Sequence, residues 1–116
     1  MPAATSAVSD MLVTVKSREI QRAQFAEMAG DQEAARRHFL AAAHLERVLA
    51  HDYEDAGEPE LALRSRLSSA SCLWCGGEIE QGRQALAALQ VQQPGQASAI
   101  AEVLAELTRD YPPRAA

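Results

Sequence analysis

Ala29-Gly30-Asp31-Gln32-Glu33-Ala34-Ala35-Arg36 and Gly76-Gly77-Glu78-Ile79-Glu80-Gln81-Gly82-Arg83 are two versions of one turn, with Gly30 and Gly77 47 residues apart. In each, a glycine closes one helical pattern and an acidic residue opens the next. Glycine enters the left-handed region without steric cost and so ends a helix cleanly. A carboxylate in the following first turn complements the positive helix start. A duplicated helix-turn-helix of this kind predicts stacked antiparallel hairpins, an architecture that mostly serves as a binding surface.

Apolar periodicity extends outward from both turns. Met11, Leu12, Val15, Ile20, Ala23 and Ala26 recur near three and four residues apart, predicting a first helix over 9–29 with Ser9 or Asp10 as its cap. Ala35, Phe39, Ala42, Leu45 and Leu49 form the seam of a second helix, which weakens toward Tyr53 and stops at Gly57. Pro59 suits the first position of a third helix, with Leu63, Leu67, Ala70, Leu73 and Trp74 as its stripe. Ile79, Gly82, Leu86 and Leu89 mark a fourth. Ser98 is the predicted cap of a fifth, carried by Ile100, Val103, Leu104, Leu107 and Tyr111 and closed by Pro112-Pro113. The expectation is an all-α domain of about five antiparallel helices over 9–111, the last acting as a cap. Residues 1–8 are expected to form a flexible leader and 112–116 a disordered tail.

At 116 residues the chain suffices for one domain with its own core. Its 47% hydrophobic content is mostly alanine and leucine, with two Phe, two Tyr and one Trp, which favours close helix packing over a sheet. A net charge of -5 repels phosphate backbones, so nucleic acid is not an expected partner. Lys16 is the sole lysine among eleven basic residues, a bias expected of GC-rich bacterial coding. No apolar run reaches the ~20 residues of a membrane span, and no signal-peptide order opens the chain, so a cytoplasmic protein without a membrane partner is expected.

Aligned on the two turn glycines, the hairpins place small residues seven before (Ala23, Ala70) and five after (Ala35, Gly82). A large apolar residue follows at nine (Phe39, Leu86). At twelve come Ala42 and the bulkier Leu89, and Pro94 stands at seventeen in the second copy, where the first has Arg47. Over roughly residues 16–94 this resembles the tetratricopeptide repeat family, whose unit is a helical pair of about 34 residues. Glu19 and Arg66 stand where that family usually has an aromatic, and the 47-residue spacing implies lengthened helices.

The resemblance implies a ligand groove on the concave face formed by the first helices of successive hairpins. Transferred by offset, that face carries Gln21, Gln24 and Glu27 from the first helix and Arg64, Ser68, Ser71 and Trp74 from the third. A single Trp and Arg among small polar groups suit a peptide or protein partner better than a reaction. The alternative for Trp74 is ordinary core. Two hairpins are few for independent stability, so a cap or a homodimer is expected.

Cys72-Leu73-Trp74-Cys75 has redox spacing, but its place at a helix C-terminus disfavours a thiolate. His44 and His51 share a helix face, the basis of an alternative metal- or small-ligand-binding bundle. No Glu precedes either by three residues, Glu46 points away, and no metal site or cofactor is assigned. No phosphate loop, nucleophile elbow or paired-carboxylate motif is present, so no catalytic residue is expected.

Overall fold

In the computed structural model, which describes residues 7–113, the chain is all-α. Five helices follow in order: α1 (Ala7–Met28), α2 (Gln32–Asp55), α3 (Pro59–Cys75), α4 (Ile79–Gln92) and α5 (Ala97–Asp110). A single 3-10 turn, Pro94–Gln96, leads into α5, and no strand occurs among the described residues.

The turns form as their residues dictate. Gly30 and Gly77 have φ of 79° and 93°, in the left-handed region, and Gly57 joins them at 74°. All three build the same closure, in which the amide after the glycine donates to a carbonyl of the last helical turn. The pairs are Asp31 to Ala26 at 2.8 Å, Glu58 to Tyr53 at 2.8 Å and Glu78 to Leu73 at 2.9 Å. Asp31 also accepts the Ala34 amide at 3.1 Å and so caps α2, whereas Glu58 and Glu78 make no side-chain cap. The repeated turn therefore occurs three times, each as a Gly-acidic pair.

Two capping expectations and the leader boundary are corrected. α1 begins at Ala7, so residues 7 and 8 of the expected leader are helical, while residues 1–6 lie outside the described residues. Ser9 lies in the first turn of α1 and is buried, its Oγ donating to Asp52 Oδ2 at 3.1 Å. Ser98 lies inside α5 because the 3-10 turn at Pro94 sets the chain up for a helix two residues earlier, with Gln96 at the cap position. Of the expected tail, Pro112 and Pro113 are outside any helix, and 114–116 lie outside the described residues.

The small residues aligned on the turns are where the helices meet. Ala23, Ala35, Ala70 and Gly82 are all buried. A Cβ on Gly82 would stand 2.8 Å from the Ala70 carbonyl and 3.1 Å from the Trp74 amide, so α3 and α4 approach backbone to backbone there. Cores lie to either side. Trp74, Leu86, Leu89, Ile100 and Leu107 join α3, α4 and α5; Ala23, Phe39, Ala42, Ala43 and Cys72 join α1, α2 and α3. Leu49, Tyr53 and Ala62 close the opposite end with Leu12 and Leu61.

The backbone of α5 comes close to both α4 and α3, whereas that of α1 comes close to α2 alone and α1 shares with α3 only the side-chain clusters around Cys72 and Ala62. The backbones of α1 and α3 therefore stand apart across α2, and a groove lies between them.

Candidate functional site

The floor of the groove is α2. Its buried positions, Ala35, Phe39, Ala42, Glu46, Leu49 and Tyr53, step by four and three residues, and one of them is a carboxylate. Glu46 is 1% exposed and meets Lys16 of α1, Nζ to Oε2 at 3.1 Å. A buried charge demands such a partner, because an unpaired carboxylate away from water is strongly unfavourable. Lys16 keeps a quarter of its surface open, its side chain being 23% exposed, so the pair lies at the groove's edge with water. Across from it, Arg64, Ser65 and Ser68 of α3 close a cleft of about 180 Å³ that also takes in Val13.

At the turn end lies a second, larger cleft of about 670 Å³, with a wall from the segment after α5. Glu27, Arg36, Trp74, Gly77 and Arg83 face Tyr111, Pro112 and Pro113 from beyond α5. Tyr111 crosses the gap between the hairpins. Its carbonyl accepts the Trp74 indole Nε1–H at 2.7 Å, and its ring stands edge-on to Phe39 with centroids 6.2 Å apart and planes at 83°. Burial, then a hydrogen bond to Glu27, holds the phenol well above its usual pKa. Among the described residues, no buried side-chain nitrogen or oxygen lacks a partner.

The chain matches no family model, no curated protein and no solved structure.

The expected groove residues divide between the two clefts. Arg64 and Ser68 line the smaller, with Lys16 and Glu46; Glu27 and Trp74 line the larger, with Tyr111. Gln21, Gln24 and Ser71 line neither; the two glutamines are exposed on α1 and Ser71 is half-buried. Trp74 is corrected from an accessible anchor to core: it is 3% exposed because Leu86, Leu89 and Ile100 surround it and Tyr111 covers its indole N–H.

Glu46, Lys16 and Tyr111 escaped sequence reasoning. Glu46 points away from the histidines, and its spacing of seven from both Phe39 and Tyr53 places it on the buried stripe. Leu45, assigned to that stripe, is only half-buried.

Cys72 and Cys75 are free, the first buried and the second half-buried. Burial, more than any neighbouring charge, pushes their pKa values up to about 11 and about 12. Both are therefore protonated thiols at neutral pH, unsuited to exchange chemistry. His44 and His51 are exposed on α2; His51 lies 3.7 Å from Glu54, and no third ligand joins them. Among the described residues no group of three or more His, Cys, Asp or Glu is placed to hold a metal ion. His38 instead meets Glu19 of α1 at 3.0 Å, and that hydrogen bond is the main reason the Glu19 carboxyl lies below its ordinary pKa. No described helix is long and apolar enough to cross a membrane.

Proposed function

We propose that this protein is a cytoplasmic, tetratricopeptide-like binding module without catalytic activity, whose α1–α3 groove receives an extended segment of a partner protein. One observation carries the reading: α1 and α3 stand apart over α2, so that Val13, Lys16, Arg64, Ser65 and Ser68 face a common cleft. Lys16 is already neutralised by Glu46, whereas Arg64 is exposed and none of the ion pairs among the described residues includes it. An acidic side chain of the partner is the natural complement to that guanidinium. The test is affinity capture from native extract with the full chain and with Arg64→Glu. A partner retained by the first and lost by the second supports the groove, and equal retention by both rejects it.

A second reading, self-association, is favoured by the outer surface of α1. Val8, Met11 and Val15 are exposed at helical spacing, and Phe25 and Met28 are 67% and 82% exposed. Light scattering on the purified chain decides, since a stable dimer would scatter at twice the monomer mass.

A further inference from the structure

The Tyr111 segment at the turn end of the groove behaves as a bound peptide supplied in cis. Pro112 biases the residue before it away from helical dihedrals, and Tyr111 accordingly leaves α5 with φ -132° and ψ 66°. The segment is then held as an added extended chain is held, by one backbone hydrogen bond and one side-chain pocket. The hydrogen bond runs from Trp74 to the Tyr111 carbonyl, which any residue at that position would supply. The pocket is formed by Phe39, Glu27 and Cys75, and it selects an aromatic ring. Pro112 and Pro113 remain exposed along the wall of a cleft that continues past them toward Arg36 and Gly77.

We infer that this slot is a binding site for an extended chain presenting an aromatic side chain ahead of proline, and that the protein's own tail occupies it until such a segment of a partner displaces it. The inference rests on the groove reading above and names its ligand at one end. Two features make exchange feasible. The resident Tyr111 is the residue that caps α5, its amide donating to the Leu107 carbonyl at 2.8 Å, so its release costs the helix at most that closing bond. Its hold is the Trp74 hydrogen bond, the ring against Phe39 and the phenol's hydrogen bond to Glu27, each of which an incoming tyrosine restores.

The probe is a synthetic peptide of residues 109–114, Arg109-Asp110-Tyr111-Pro112-Pro113-Arg114, titrated into the full chain while the fluorescence of its single tryptophan is followed. With Tyr111→Ala the slot is empty, and the peptide should bind at least about tenfold more tightly than to the native chain. Nine-tenths occupancy by the tail lowers apparent affinity by that factor. A peptide with alanine in place of tyrosine should not bind. Equal affinity for native and Tyr111→Ala chains, or equal binding of the two peptides, overturns the inference.

Should Tyr111→Ala fail to fold, Tyr111→Phe decides. It keeps the ring, loses the hydroxyl that meets Glu27, and should bind the peptide several-fold more tightly than the native chain does; unchanged affinity counts against the slot. Val91→Ser, on the exposed face of α4 and outside both clefts, should leave peptide affinity unaltered. Partner capture that fails to depend on Arg64 rejects the groove reading, whereas the peptide titration rejects the slot.

Discussion

The two halves of the molecule solve the same packing problem with different chemistry. At the C-terminal end, α5 settles on α3 and α4 through Ile100, Leu107 and the fully buried Leu86, an apolar contact driven by area removed from water. At the N-terminal end, α1 lies on α2 through Ala23 and Leu12, and also through three polar pairs: Ser9–Asp52, Lys16–Glu46 and Glu19–His38. Apolar packing is indifferent to exact pairing and gives the larger share of stability. Polar pairs add little net stability but penalise any misplacement of α1. The closed half is thus the anchor, and the half with the polar seam holds the groove.

The largest effect that would sharpen this contrast belongs to the anchor. Ile100→Ala should cost about 3 kcal/mol, the usual loss for a fully buried aliphatic side chain, read as a lower urea midpoint. Gly82→Ala should follow at about 2 kcal/mol, since its new Cβ would stand 2.8 Å from the Ala70 carbonyl of the facing helix, whereas on Gly76 the closest atoms, 2.6 and 2.7 Å away, belong to the half-buried Leu40 side chain, which can rotate aside, with the Cys72 carbonyl at 3.1 Å, and the cost should be smaller. Equal melting of the two glycine variants would break the claim that α3 and α4 touch backbone to backbone.

In the polar seam, Lys16→Met should destabilise by about 2 kcal/mol, near the lower range for an orphaned buried carboxylate because Lys16 is partly hydrated. Adding Glu46→Leu should recover most of that loss. A double variant no more stable than the single would mean that the seam contributes more than compensation.

Smaller still are the pH effects. The Glu19 carboxyl is depressed in the folded state, so its contribution is present above ~4.3, the unfolded value, and lost as pH falls through the folded one. Glu19→Gln should flatten that part of the acid melt. The cysteines act with the opposite sense. Their raised folded values mean that stability is complete below ~8.5 and declines as pH rises toward about 11 and 12. Replacing both with alanine should reduce the loss between pH 8 and 10, as measured by thermal melts.

How far the sequence carries this molecule is clearest in particular residues. Helix limits were legible to within two residues because glycine and proline act locally: Gly30, Gly57, Pro59, Gly77 and Pro94 each stand within three residues of a helix end. Close-packing positions were legible too, since small residues at a fixed offset from a turn land on a fixed face, as Ala70 and Gly82 do. Site residues were harder because they depend on distant pairing. Nothing near Glu46 announces Lys16, and nothing near Trp74 announces that a tyrosine from beyond the last helix will cover it. The third Gly-acidic turn, at Gly57-Glu58, was visible in the chain but masked by the neighbouring proline that explained the helix start equally well.

The chain-spanning position of Tyr111 also bears on the order of folding. Each helix packs chiefly on its neighbours in sequence, so hairpins can form one after another as the polypeptide leaves the ribosome. Tyr111 joins Phe39 and Trp74 only once all five described helices have been made. In pulse-labelling hydrogen exchange, the Trp74 indole proton should therefore gain protection after the amides of α2 and α3. Emergence of Tyr111 would then be what closes the turn end of the groove.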